Sequence, residues 1–158
     1  MLYVESVGLT QSAVKDIEHF GLFAFSQTRY NDVIIRFQQF DDSGLCKAFV
    51  QEEKGNLLVY YNRNDNDSLD KIREVLAHES IHARQLSEGR LQYTLMRTDA
   101  GIKWGFLWDG TLYRPPENAE QFIALPWEIE AYGGTQGVLE LYGIQQRSRE
   151  NIEVEKIF

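Results

Sequence analysis

The chain predicts a single α+β domain over residues 1–158, in which a small antiparallel sheet is combined with an N-terminal helix, a central amphipathic helix, an inserted β-hairpin and a C-terminal helix. Three observations carry that expectation. Leu69, Ile72, Val75, Leu76, Ala83 and Leu86 recur at helical spacing behind Ser68, a good N-cap. Residues 33–40, 45–51 and 57–62 are β-rich runs separated by turn-forming clusters. Asp109-Gly110 stands between two further β-prone runs, a strong hairpin signal. With 43% apolar residues, a chain of this length can bury a sizeable core.

Each element follows from local chemistry. Thr10 can cap a first helix over 11–20 that is closed by Gly21, with Val14 and Ile17 turned inward, and this helix is expected to lie on the sheet as a lid. The turns at Asp41–Gly44 and Glu53–Asn56 predict a three-stranded antiparallel meander. The polar stretch Asn62–Asp67 reads as a loop rather than a calcium site, because it lacks the central glycine and closing glutamate of an EF-hand. Gly89 ends the central helix. The hairpin of Ile102–Trp108 and Thr111–Tyr113 projects Trp104, Phe106, Trp108 and Tyr113, which either line a cleft or cover the core.

Pro115-Pro116 interrupts the chain, and Pro126 suits the first turn of a last helix running toward Gly143. Gly133, Gly134 and Gly137 weaken that helix by about 1 kcal/mol each relative to alanine, and either end it early or permit a close helix approach. The tail 147–158 alternates Ile152, Val154 and Ile157 with charge and predicts an edge strand.

Composition narrows the function classes. A net charge of −8 disfavours nucleic acid and anionic membranes as partners and suits a peptide or protein substrate. Cys46 is the only cysteine, so neither an internal disulfide nor a cysteine-cluster metal site is possible, and a reducing, cytoplasmic location is expected. No basic region followed by a long apolar run opens the sequence, so neither a signal peptide nor a membrane span is expected.

The chemistry concentrates at His78-Glu79-Ser80-Ile81-His82, an H-E-x-x-H sequence that uses two of the chain's three histidines. Residues four apart on a helix lie one above the other, so both imidazoles can reach one ion about 2.0–2.1 Å away. Glu79 falls inside the apolar arc, where an ionised carboxylate is costly without a partner. Gln85 and Glu74 share the histidine stripe and are read as a solvated helix face; His19, with no partner at ligand spacing, is read as a surface or capping residue. No histidine follows His82, which leaves a carboxylate as third ligand. On a helix starting at Pro126, Glu128 shares a face with Ala131, Tyr132, Thr135, Val138, Leu139 and Tyr142, while Glu130 faces away; Glu128 is the better candidate.

The H-E-x-x-H helix followed by a helix bearing Glu128-x-x-Ala131 resembles the gluzincins, a group of zinc peptidases, and the string Leu125-Pro126-Trp127-Glu128-Ile129-Glu130-Ala131 resembles short zincin-like proteins encoded by phages. The resemblance implies a zincin-like fold, a Zn2+ cofactor held by His78, His82 and Glu128, and Glu79 as activator of water. Gluzincins place an aspartate directly after the alanine; this chain has Tyr132 there, so support for the histidines must come from elsewhere.

The expected activity is zinc-dependent hydrolysis of a peptide bond, Glu79 taking the proton of the metal's water and returning it to the leaving nitrogen. Tyr132, Tyr93, Arg84 and Arg114 are candidates for stabilising the oxyanion; none is singled out by spacing, and Tyr132 is assigned beside Glu79 as catalytic. The alternative is a non-catalytic binding protein that keeps zinc as a structural staple.

Overall fold

The computed structural model describes residues 1–39 and 47–157, the side chains of 151–157 excepted. Among the described residues it is an α+β structure of four helices and two small sheets. The first sheet contains β1 (Leu2–Ser6), β2 (Val33–Gln38), β3 (Ala48–Glu53) and β4 (Asn56–Asn62) in the order β1-β2-β4-β3. The second contains β5 (Leu91–Thr98), β6 (Gly101–Trp108) and β7 (Thr111–Tyr113) in sequence order. The helices are α1 (Gln11–Ala24), α2 (Leu69–Ser87), α3 (Ala119–Ile123) and α4 (Pro126–Ile157).

The first sheet is mixed, which corrects the antiparallel meander. β1 pairs parallel with β2 and β2 parallel with β4; only β3 runs antiparallel, against β4. The order follows hydrophobicity. β2 and β4 carry buried Val33, Ile35, Phe37, Leu57, Leu58, Val59 and Tyr61 and take the centre. The polar end of β3, Gln51–Glu53, is exposed and suits an edge. β3 and β4 are joined by Lys54 and Gly55, both at positive φ (51° and 80°), a type I′ turn whose twist matches the strands. The turn expected at Asp41–Gly44, and Cys46, lie outside the described residues.

Thr10 caps α1 as expected, its side chain accepting from the Ala13 amide at 3.1 Å, but Gly21 does not end the helix. Gly21 is buried inside it, and an added Cβ would come within 2.8 Å of Leu2 Cδ1, so its lack of a side chain lets α1 settle against β1. α1 bridges β1 and β2 and packs on the sheet and on α2.

Ser68 caps α2 through the Lys71 amide at 3.1 Å, and Gly89 at φ 73° follows its end. From Val75 to Leu86 almost every residue of α2 is buried, because the helix contacts α1 and β3 as well as α4 and β5. In the preceding loop Asp67 is occupied by the Asn64 amide, the Tyr61 hydroxyl and the Lys47 ammonium, as a plain turn requires.

Asp109-Gly110 forms the expected hairpin, again with both residues at positive φ. β5, which the sequence reading did not separate from its surroundings, extends the hairpin to three strands. α4 starts at Pro126 and continues to Ile157, so the tail is helical, correcting the predicted strand. Of its three early glycines, Gly134 faces α2: a Cβ there would lie 2.8 Å from Ile81 Cδ1, whereas Gly133 and Gly137 meet nothing within 4 Å. No helix among the described residues is long and apolar enough to cross a membrane.

Candidate metal centre

α2 and α4 meet at three side chains. His78 Nε2 lies 3.0 Å from Glu128 Oε2 and 3.0 Å from His82 Nε2, and His82 Nε2 lies 3.0 Å from Glu128 Oε1. Donor atoms about 2.0–2.1 Å from a tetrahedral ion are about 3.3 Å apart, so small outward movements would open this triangle to hold one. The group His78, His82 and Glu128 could therefore hold a metal ion. Glu128 is 4% exposed, and its neighbour Glu130 points away, as helical geometry required.

Gln85 sets the tautomer that His82 takes when it is neutral. Gln85, 1% exposed, donates through Nε2 to the Trp127 carbonyl at 3.1 Å and to Glu130 Oε1 at 3.2 Å, which fixes its amide orientation. Its Oε1 then accepts from His82 Nδ1 at 2.9 Å, leaving the lone pair of neutral His82 on Nε2, facing the cluster. This corrects the reading of Gln85 as solvated. Glu130 is held by Arg90 in a bidentate pair at 2.9 and 2.7 Å, and Arg90 lies over the Trp108 ring. Tyr132 stacks obliquely on His78 at 4.5 Å between ring centroids. Two different side chains thus steady the two histidines.

The electrostatics are those of a charged cluster in a dry setting. Burial opposes ionisation of Glu128, yet the hydrogen bonds and charges of His78 and His82 hold it down at about 2. Burial likewise opposes a charged His82, but Glu128 and Glu79 raise it to about 9. Glu79, 5% exposed, is pushed up to about 8, mainly by burial and against the pull of His82, so without a metal it is mostly protonated at neutral pH. A divalent cation between the histidines favours the ionised carboxylate.

The cluster opens on a cavity of about 560 Å3 walled by α2, α4, β3 and the second sheet. Glu79, Tyr132 and Tyr93 line it; Arg84 and Arg114 are exposed elsewhere and do not. Glu74 reaches the cavity from the exposed side of α2, beside Lys71. The aromatic ribbon divides. Phe106, Trp108 and Tyr113 pack around buried Trp127 at 5.0, 6.1 and 5.4 Å, and Trp104 is 62% exposed. His19 bonds Tyr142 and Arg149 on the surface, apart from the cluster.

Fold and site together define an α+β protein with a buried His-His-Glu cluster able to hold a metal ion. Compared with protein-family models, curated proteins and solved structures, the chain matches none.

Proposed function

We propose that this protein is a zinc-dependent hydrolase that cleaves a peptide bond, with a zincin-like arrangement of gluzincin type, acting on a peptide or protein substrate. The observation that carries the reading is the convergence of His78, His82 and Glu128 at the edge of a cavity that Glu79 also lines. Two imidazoles and one carboxylate are a common ligand set for catalytic zinc, and zinc bound there supplies Lewis acidity and a water of pKa near 7. The phage-type resemblance of the sequence around Glu128 belongs to the same proposal.

Glu79 is the general base: it accepts the proton of the attacking water and delivers it to the departing amide nitrogen. Its burial makes it a strong base once ionised, and its dependence on a neighbouring cation ties that competence to metal loading. Tyr132, on the cavity wall against His78, is the hydrogen-bond donor to the oxyanion, with Tyr93 as the other cavity-lining candidate.

The test is Glu79→Gln, with zinc content measured by elemental mass spectrometry and turnover on a peptide library. A hydrolase loses turnover by a factor of at least about 100 while keeping one zinc per chain. Turnover that survives the substitution would overturn the assignment of Glu79. A wild-type chain that takes up no zinc would overturn the whole reading.

A further inference from the structure

The second sheet has one face that leaves the cavity and continues outward. Register pairs Leu91, Tyr93, Leu95 and Arg97 of β5 with Trp108, Phe106, Trp104 and Ile102 of β6, and alternation of the pleat puts all eight on the same face. At the base, Leu91 and Trp108 pack into the core around Trp127. One step out, Tyr93 and Phe106 line the cavity. Beyond them Leu95, Trp104 and Ile102 stand 61%, 62% and 69% exposed. Three large apolar side chains at neighbouring cross-strand positions make an exposed patch, and Leu95 and Trp104 are directly opposite each other.

We propose that this outer strip is a docking surface for the substrate polypeptide, a second binding site that takes large apolar side chains of an extended segment beyond the scissile bond. The proposal rests on the hydrolase reading for its occupant. Continuity argues for a substrate: the face that lines the cavity is the face that carries the strip. Reach agrees, since at about 3.4 Å per residue Trp104 and Ile102 lie about 7 and 14 Å beyond Phe106, a distance of two and four residues of extended peptide. Area argues against a second copy: three side chains exposed to this degree offer roughly 400 Å2, against about 800 Å2 per partner in a stable dimer. Arg97, exposed at the outer end of the same face in a chain of net charge −8, suits an acidic residue following the apolar ones.

The experiment uses the zinc-loaded chain, a library of synthetic 12-residue peptides and their four-residue truncations, and the variant Leu95→Ser/Ile102→Ser/Trp104→Ser, whose fold is checked by thermal melting. Wild type is expected to favour long peptides that carry large apolar residues, two positions apart, on one side of the cut and outside the segment that fills the cavity. The ratio of kcat/KM between long and short peptides should fall about tenfold in the variant, through KM. An unchanged ratio would overturn the docking surface and leave the hydrolase standing. If wild type cleaves nothing, the hydrolase reading falls, and binding of the same peptides carrying a fluorescent label, followed by anisotropy, decides the surface: binding lost in the variant supports it, and binding that persists, or none in wild type, overturns it. A wild-type dimer in sedimentation that the variant abolishes would assign the strip to a second copy and overturn the substrate.

Discussion

Replacing Gln85 with leucine keeps the bulk of a side chain that is 1% exposed and removes three hydrogen bonds: to His82 Nδ1, to the Trp127 carbonyl and to Glu130. The His82 N–H loses its acceptor, at about 1–3 kcal/mol, whereas the Trp127 carbonyl keeps its place in the α4 ladder and Glu130 keeps Arg90. The metal-free chain is therefore expected to lose about 1–3 kcal/mol of stability, read by urea unfolding. The effect on metal is separate. Without an acceptor at Nδ1, His82 is no longer held to the tautomer and ring angle that aim Nε2 at the cluster, and zinc affinity should fall about 10- to 100-fold in a chelator competition. Arg90→Ala is the control, since it loosens Glu130 and leaves the Gln85–His82 bond in place. If Gln85→Leu destabilises the fold but binds zinc within twofold of wild type, the argument that Gln85 positions His82 is refuted.

Glu128→Ala should abolish tight zinc binding while Glu130→Ala retains it, because only Glu128 faces the histidines; loss in both, measured by elemental mass spectrometry, would break the assignment. In the metal-free chain His82 and Glu79 are both raised, so their contributions to stability are present at lower pH and are lost as pH rises through about 9 and about 8; Glu128 is lowered, so its contribution is lost only as pH falls toward 2. The melting temperature of the metal-free protein should therefore fall between pH 6.5 and 9. A flat profile in differential scanning calorimetry would contradict the paired cluster. Zinc held by the cluster would have to displace the His82 proton, so binding at pH 7 should release protons, detectable as a buffer-dependent heat by titration calorimetry. Trp127→Ala, which empties the space between Phe106, Trp108 and Tyr113, should cost about 3–5 kcal/mol in denaturant unfolding.

Local chemistry carried the sequence reading well where partners are near in the chain. Ser68, Gly89 and the 3.6-residue period marked α2; Asp109-Gly110 marked a hairpin; and the face of Glu128 followed from Pro126. The reading weakened where partners are distant. Whether β2 lies beside β3 or β4 is decided by burying the most apolar strands at the centre, and short β1 gains its meaning only from pairing with β2. The near-alternation of Ile152, Val154 and Ile157 suggests a strand, but α4 propagates through them from Pro126. Gln85 was misjudged because a polar residue on a helix defaults to solvent. The signal that pointed the other way was its spacing, three residues past His82 on the histidine stripe, together with Glu130 and Arg90 as distant partners.

His78 and Glu128 are 50 residues apart, and the whole second sheet lies between them. An ion shared by α2 and α4 would thus be a topological cross-link as well as a reagent, closing a loop whose entropy in the unfolded chain is worth about 4 kcal/mol by the measure used for a disulfide of that span. In a chain with one cysteine, a removable metal would supply the tether that sulfur cannot, and a chelator would act on it as a reductant acts on a secreted protein.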